Sequence, residues 1–277
     1  MEVRSLGYRT DLAILTLEGS QIADRGDYLV IRTPGNADYW WGNFLLLRRL
    51  DRGSGGDWVA RFAAEFPDAR HIALGVDETE ADVVPSGELA GMAMQRNAVM
   101  RATSVHAPPY PNTEAVFRPL AGEADWRQSL EVASAVSADE PGVDRGFLVA
   151  RLAARRALAE AGQGAWFGAF VDGALVCQLG IVSGEPGLAR YQSVETHPAA
   201  RRRGLAGTLV WHAGSTALSG DPSTLVMVAD PEDIAIRVYR SVGFTVAEAQ
   251  IGFIRQPDGT PGGAQARRWP DECGGMS

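Results

Sequence analysis

A proline-rich segment near the middle of the chain sets the first limit on how the chain can fold. His106–Asn112 has the sequence His-Ala-Pro-Pro-Tyr-Pro-Asn, with three prolines. Proline lacks an amide donor and fixes its φ angle, so neither a helix interior nor a central strand can pass through this segment. We therefore predict a linker at residues 106–113 between an N-terminal domain, 1–105, and a C-terminal domain, 114–255. Residues 256–277 are rich in Gly and Pro without periodicity, which predicts a flexible tail.

The composition is that of a folded chain and excludes several classes of protein. The 277 residues are 45% hydrophobic and 22% charged, enough for two modest domains. A net charge of -8 argues against a nucleic-acid partner, because affinity for phosphate backbones needs a basic surface. No apolar run approaches the ~20 residues of a membrane span, and Met1–Thr10 alternates charged and apolar residues. We expect no membrane association and a cytoplasmic location.

All 26 basic residues are arginine, and lysine is absent from the sequence. A Schiff-base nucleophile and a Walker-type phosphate-binding lysine both need an ε-amine, so both are excluded. Any phosphate must be bound by arginine, backbone or metal. The two cysteines and four histidines show no metal-ligand spacing, so we expect no metal. Cys177, in an apolar run, is expected to be a small buried hydrophobic residue rather than a nucleophile.

The hydrophobic pattern after the linker predicts an α/β domain with a mixed sheet. The expected order is a strand, two helices, three antiparallel strands, then helix, strand, helix and strand. Asp172-Gly173 is a two-residue hairpin signal between the first two of the three antiparallel strands. The predicted strands are 115–119, 166–171, 174–182, 190–196, 225–229 and 245–254, and the predicted helices are 124–135, 142–161, 201–218 and 232–242.

Three consecutive arginines, Arg201–Arg203, form the first turn of a predicted helix that follows a predicted strand. They are unfavourable at a helix N-terminus, where the macrodipole is positive, so an anion should offset them. Unpaired N–H groups at the helix start, with Gly204, Ala206 and Gly207 leaving the backbone uncovered, favour a phosphate. The alternative is a solvated arginine cluster on a surface helix.

Two motifs in this region resemble those of one enzyme family. Arg201-x-x-Gly204-x-Ala206, after the strand Val194-Glu195-Thr196, resembles the acetyl-coenzyme A signature Q/R-x-x-G-x-G/A of the GNAT superfamily of N-acetyltransferases. One strand later, Ala235-x-x-x-Tyr239-x-x-x-Gly243-Phe244 resembles the second GNAT motif. The resemblance covers Ala115–Ile254. It implies a GNAT fold, with a twisted, mixed and mostly antiparallel sheet flanked by helices.

The resemblance also implies roles for individual residues. Backbone groups around Val194 and Thr196, on a strand splayed from its neighbour, would pair with pantetheine. Tyr239 would be the general acid that protonates the departing thiolate, or, alternatively, a packing residue. Members of the family often carry glycine where this chain has Arg202, so the course of the loop is in question there. The residues expected at acetyl-coenzyme A are Val194, Glu195, Thr196, Arg201, Arg202, Arg203, Gly204, Leu205, Ala206 and Gly207.

The general base is less constrained by the sequence. Transfer to an amine requires a neutral amine, so a carboxylate, a histidine or water must take its proton. Glu195 is the first candidate, although strand alternation turns its side chain to the face opposite Val194 and Thr196. His197 and Tyr191 are weaker candidates, and a packing or surface role is an open alternative for all three.

The N-terminal half repeats part of this pattern. Leu74–Asp77 through Gly91-Met92 parallels Val226–Asp230 through Gly243-Phe244, with 15 and 14 residues from Asp to the final apolar residue. A predicted strand at 44–50 and a predicted helix at 58–66 flank residues 51–56, where the second copy has its phosphate loop. We hypothesise a tandem pair with a degenerate N-terminal GNAT-like copy that builds a wall of the acceptor cleft; coincidence is the alternative. The aromatic run Tyr39-Trp40-Trp41 would line an acceptor pocket or belong to the core.

The function expected from the resemblance is acetyl-coenzyme A-dependent N-acetyl transfer, by direct transfer, to a primary amine of a small molecule or peptide. The negative charge is compatible with a cationic acceptor without selecting one. The chain would act as a monomer or homodimer. The alternatives are an acyl-coenzyme A-binding sensor or scaffold without turnover, and transfer to a hydroxyl or of a longer acyl chain.

Overall fold

The computed structural model describes residues 1–37, 39–50, 57–79, 89, 91–138 and 145–255. The predicted tail, 256–277, and the predicted first-copy loop, 51–56, lie outside these residues. The contacts between residues divide the described part of the chain into two compact units. Unit 1 is Met1–Ala98 with residues 248–255, and unit 2 is Val99–Ala247. None of the helices in the described ranges combines the length and apolarity that a membrane crossing needs.

The described chain contains both helices and strands. The helices are α1 Leu6–Leu17, α2 Trp58–Glu65, α3 Gly122–Val136, α4 Arg145–Glu160, α5 Leu205–Leu218 and α6 Ala235–Arg240. The strands are β1 Gln21–Asp24, β2 Tyr28–Arg32, β3 Phe44–Leu47, β4 Ile72–Val76, β5 Ala93–Ala102, β6 Val116–Pro119, β7 Gly164–Val171, β8 Ala174–Glu185, β9 Leu188–Thr196, β10 Thr224–Ala229 and β11 Thr245–Arg255.

Unit 1 is built on the strand order β1-β2-β3-β4-β11. β3 and β4 run parallel, with α2 between them in the chain, and β11 pairs antiparallel with β4. One core contains the α1 side chains Tyr8, Leu12 and Leu15, and a second contains Trp58 and Phe62 of α2. Trp40 and Trp41 are buried in the α1 core, so the structure gives these two aromatic side chains a packing role.

Two carboxylates accept hydrogen bonds from residues at the N-terminus of α1. Asp77, just after β4, accepts hydrogen bonds from the backbone N–H of Arg4 at 2.9 Å and of Ser5 at 2.8 Å. Glu248 of β11 accepts from the Ser5 hydroxyl at 2.7 Å and from the backbone N–H of Gly7 at 3.1 Å. Burial raises the pKa of both carboxyl groups. These bonds attach β11 to the start of the chain within unit 1.

Unit 2 contains the strand order β10-β9-β8-β7-β6. β6 to β9 are antiparallel neighbours, and β9 and β10 are parallel with α5 between them in the chain. The Gln178 side chain of β8 donates to the Ser129 carbonyl of α3 at 3.2 Å, whereas the Tyr191 hydroxyl of β9 donates to the Val210 carbonyl of α5 at 2.8 Å. Helices therefore flank a mixed sheet, which confirms the predicted fold class.

One element boundary differs from the predictions. The helix expected from residue 201 begins at Leu205, because Arg202 and Gly204 have positive φ angles of 61° and 72° that interrupt a helix. The boundary between the two units lies between Ala98 and Val99, inside β5. Residues 106–113 belong to unit 2, and the chain from Glu248 belongs to unit 1 because β11 pairs with β4.

Candidate active site

The two parallel strands of unit 2 pair over only part of their length. Among the described residues, their register joins Leu188–Arg190 of β9 to Thr224–Val226 of β10. Beyond it, β9 continues along β8 with an irregular register between Gln178 and Gly180, and Ser193 has a φ of 47°. A bulge at this point bends the strand and re-aims its backbone groups. The end of β9 at Thr196 thus lies beyond the register with β10, in the segment for which the resemblance implied a splayed strand.

The loop from Arg201 to Gly204 is shaped by two residues in the left-handed region. Arg202 has a φ of 61°, a backbone angle that residues other than glycine rarely adopt. Gly204 has a φ of 72°. This conformation explains why glycine suits the position of Arg202 in related motifs. A Cβ added to Gly204 would lie 2.7 Å from the backbone carbonyl oxygen of Tyr110, so glycine is also required there by close packing.

The N-terminus of α5 is open. Its N-cap is Gly204, which supplies no side-chain hydrogen bond, and the first turn has no acidic residue. The backbone N–H of Thr208 donates to the Gly204 carbonyl at 3.2 Å, at the point where helical bonding begins. The N–H groups of Leu205, Ala206 and Gly207 precede that first helical bond and are available to an anion.

The proline-rich segment packs against this loop and is here called the strap, Pro108–Glu114. The backbone N–H of Asn112 donates to the Thr208 hydroxyl at 2.8 Å, and its side-chain amide donates to the Arg203 carbonyl at 2.9 Å. The Asn112 side-chain oxygen accepts from the backbone N–H groups of Glu114 and Ala115 at 3.0 and 2.9 Å. The strap is therefore anchored to the loop and to α5 at several points.

A pocket of about 720 Å³ lies between the strap, the Arg201–Gly207 loop and α6. Ile234, Val238 and Ser241 line it from the side of α6. The structure brings Thr196 and all of Arg201–Gly207 to this pocket; Val194, Glu195 and Tyr239 are outside its lining.

The three arginines of the loop have different surroundings. Arg203 forms an ion pair of 2.6 Å with Glu114 of the strap, so part of its charge is already balanced. The Arg201 Nε donates to the Thr196 carbonyl at 3.4 Å and is partly buried. Arg202 is exposed, and no ion pair joins it to another residue in the described ranges. Arg202 is thus better placed than Arg203 to meet an anion.

The predicted acid and base both lie outside the pocket lining. Glu195 is half-buried, and its carboxylate accepts from the Gln178 side-chain amide at 2.6 Å. Tyr239 is completely buried on α6, the helix that carries the lining residue Val238. The weaker base candidates have local bonds: His197 Nδ1 accepts from the backbone N–H of Ala199 at 3.3 Å, and the Tyr191 hydroxyl donates to Val210.

Cys177 is buried in β8, as expected for a small apolar residue. Its thiol lies 3.2 Å from the Thr196 hydroxyl. Burial raises the pKa of the Cys177 thiol to about 12, so the thiolate is not populated at neutral pH. Cys177 therefore has no nucleophilic role at this site.

Buried polar groups next to Glu195 were not predicted from the sequence. Gln178 and Gln192 are both about 2% exposed and stand on β8 and β9. Within the described residues, Gln178 Oε1 and both polar atoms of the Gln192 side chain have no hydrogen-bond partner. Buried polar atoms normally have partners, so this face of the sheet has groups available to water or to a polar ligand. The signal in the sequence is Gln178, a polar residue within the apolar run 174–182, whereas Gln192 stands among other polar residues of β9 and gives no such signal.

A comparison with protein-family models identifies the family that residues 131–244 match. Residues 131–244 match the model of the "Acetyltransferase (GNAT) family". This segment is a GNAT acetyltransferase domain. The match contains Val194–Thr196, the Arg201–Gly207 loop and the Tyr239 motif, so the resemblance found in the sequence is confirmed. No curated protein matches the chain.

Several solved structures are similar in fold to this chain over more than the residues that match the GNAT model. A conserved protein of unknown function from Staphylococcus epidermidis has a TM-score of 0.66 at 10% identity, covering 86% of this chain and 95% of its own. A GCN5-related N-acetyltransferase from Kribbella flavida has a TM-score of 0.62 at 16% identity, covering 92% and 97%. A tandem GNAT protein from the clavulanic acid biosynthesis pathway has a TM-score of 0.53 at 13% identity, covering 92% and 95%. At these identities the likeness concerns the fold alone.

Proposed function

We propose that the protein is an acetyl-coenzyme A-dependent N-acetyltransferase that acts on a primary amine of a small molecule or peptide. The observation that carries the proposal is the uncapped N-terminus of α5, which opens on a pocket of about 720 Å³ within the GNAT domain. An uncapped helix start without acidic residues suits a pyrophosphate. The acetyl thioester supplies an activated acyl group, and the chain supplies binding and proton transfer.

The residues at the pocket fit coenzyme A in shape and charge. The N–H groups of Leu205–Gly207 would bind the pyrophosphate, with Arg201 and Arg202 adding positive charge. Gly207 lets Val238 and Pro108 lie close to α5. A Cβ added to Gly207 would lie 3.3 Å from Val238 Cγ1 and 3.5 Å from Pro108 Cβ. The free backbone edge of β9 from Val194 to Thr196 would pair with the pantetheine arm.

Proton transfer is assigned to two residues. Glu195 would accept the proton of the acceptor amine, held in place by the amide of Gln178. Tyr239 would hold the proton for the departing sulfur, since a phenol is protonated at neutral pH. The Gln178 side chain, which bonds to Glu195 and to the Ser129 carbonyl of α3, supports an acceptor bound on the face of the sheet covered by α3.

The experiment measures acetyl transfer to a panel of primary amines by wild-type protein and by Tyr239→Phe. The readout is the release of the coenzyme A thiol. We expect Tyr239→Phe to lower kcat by about 100-fold, the size typical of a lost general acid, and to leave the Kd of coenzyme A unchanged. Tyr191→Phe is the matched control, because it also removes one buried phenol hydroxyl, whose bond to Val210 is structural. Equal kcat values for the two variants would refute the acid assignment.

A second candidate function is an acyl-coenzyme A-binding sensor without turnover. The complete burial of Tyr239, outside the pocket lining, favours it. Tight binding of coenzyme A together with no thiol release on any amine of the panel would support the sensor over the enzyme.

We also propose that unit 1 is a degenerate GNAT-like copy that does not bind coenzyme A. Both units contain a parallel strand-helix-strand element, β3-α2-β4 and β9-α5-β10. At the start of α2, however, the Asp57 carboxylate accepts from the backbone N–H of Ala60 at 2.8 Å. This negative cap occupies the position that Gly204 leaves open at α5, and it would repel a phosphate. A single bound equivalent of coenzyme A in calorimetry would support this proposal, and two equivalents would refute it.

A further inference from the structure

We infer that the strap forms the outer wall of the cofactor pocket and selects acyl donors that carry an adenine nucleotide, with Tyr110 providing the stacking surface. This inference rests on the proposed binding of coenzyme A to the Arg201–Gly207 loop. It goes further by assigning a role to a segment that precedes the GNAT domain in the chain.

The strap is held rigidly at the pocket. Asn112 bonds to Thr208 of α5 and to the Arg203 carbonyl, and Glu114 forms the ion pair with Arg203. The close approach of the Tyr110 carbonyl to Gly204 leaves no space between strap and loop at that point. Prolines on both sides of Tyr110 restrict the backbone further. A ligand therefore meets a wall that is already ordered before binding.

Tyr110 is presented to solvent on this rigid backbone. The residue is 88% exposed and belongs to the pocket lining. Its side chain makes no hydrogen bond or ring contact with any of the residues that the structure describes. An exposed aromatic ring with fixed backbone geometry is suited to stack against a planar ligand group, because little conformational entropy remains to be lost.

The chemistry of the pocket identifies the planar group. The open α5 N-terminus suits phosphate oxygens, and the exposed Arg202 adds a cation within the same pocket. An aromatic ring next to a phosphate-binding loop is complementary to a nucleotide, whose base stacks while its phosphates bind the amides. The pantetheine end leads instead toward the free edge of β9. The strap thus meets the adenine end of the donor.

The test compares binding of coenzyme A and of 4′-phosphopantetheine, which lacks the nucleotide, by calorimetry on the full chain. We expect Tyr110→Ala to raise the Kd of coenzyme A about fivefold to tenfold, as for loss of one base stack at an exposed site. The Kd of 4′-phosphopantetheine should stay within twofold. Tyr110→Phe is the matched control and should bind both ligands as the wild type does, since the ring is retained.

Thr208 tests the anchor of the strap independently. Thr208→Val removes the hydroxyl that accepts from Asn112 and donates to the Gly204 carbonyl at 2.8 Å, whereas Thr208→Ser keeps both bonds. We expect the valine variant to weaken coenzyme A binding and to leave 4′-phosphopantetheine binding within twofold, with the serine variant close to wild type.

The outcomes separate this inference from the proposed function. If wild-type protein binds coenzyme A and Tyr110→Ala binds it equally well, or weakens both ligands by the same factor, the strap inference is wrong while the proposed function stands. If wild-type protein does not bind coenzyme A, both are overturned.

Discussion

Replacement of Gly204 by alanine tests the geometry on which the site depends. The substitution has two costs that can be separated. Alanine at a φ of 72° lies in the left-handed region, which costs about 1–2 kcal/mol for a residue with a Cβ. The added Cβ would also lie 2.7 Å from the Tyr110 carbonyl oxygen, a backbone atom that moves only if the strap moves. Overpacking of this kind costs about 1–3 kcal/mol.

Gly187→Ala is the matched control in the same unit. Gly187 has a φ of 76°, but an added Cβ would meet its nearest atom, Ser223 Oγ, at 3.7 Å, which is ordinary van der Waals distance. Its expected cost is therefore the conformational part alone, about 1–2 kcal/mol. The difference between the two variants, about 1–3 kcal/mol, measures the packing of the strap on the loop.

The assay is urea unfolding of both variants and the wild type, with the m-values compared before any conversion to free energy. We expect the Gly204→Ala midpoint to lie clearly below that of Gly187→Ala. Coenzyme A affinity should fall only in Gly204→Ala, because only that change displaces the phosphate-binding loop. Equal midpoints, or unchanged coenzyme A affinity in Gly204→Ala, would refute the packing described between strap and loop.

Three further predictions follow from single residues. Arg202→Gly should stabilise the protein by about 1 kcal/mol in the same urea assay, because glycine adopts the φ of 61° without strain; a loss of stability would contradict this. In a Cys273→Ser background, Cys177 should react with a disulfide reagent at pH 8 only after unfolding, since it is buried with a thiol pKa of about 12. Hydrogen bonds from Arg25 and then Arg32 lower the pKa of Glu65 from 4.5 to about 2, so these ion pairs stabilise the fold above pH 4.5 and the effect is lost as the pH falls toward 2. Glu65→Gln should remove about 1 kcal/mol of that acid dependence after allowance for solvent screening, measured as urea stability against pH.

The sequence predicted the features that depend on local pattern. The Arg201–Gly207 loop and the strand before it were found because glycine spacing and charge at a helix start have direct chemical meaning. The start of α5 was placed four residues too early, at Arg201, because a positive φ at a non-glycine residue such as Arg202 leaves no compositional signal.

Features that depend on tertiary partners were not predictable in the same way. The hydrophobic pattern predicts a strand at 245–254 but does not say that its partner is β4. Likewise, three prolines exclude regular structure at 106–112 but do not reveal that Asn112 bonds to Thr208, 96 residues further along the chain. The sequence therefore predicts a linker at this position without showing that residues 108–114 also line the pocket.

The pairing of β11 with β4 has a consequence for how the protein is made. Glu248 follows Ala98 by 150 positions (248 − 98), yet both belong to unit 1. At synthesis rates of 5–20 residues per second, the N-terminal residues wait about 8–30 seconds for their last strand to leave the ribosome. During that interval the edge of β4 lacks its partner and is open to pairing with another chain. A nascent chain stalled before residue 248 should therefore bind chaperones or aggregate, whereas a chain released after residue 255 should not.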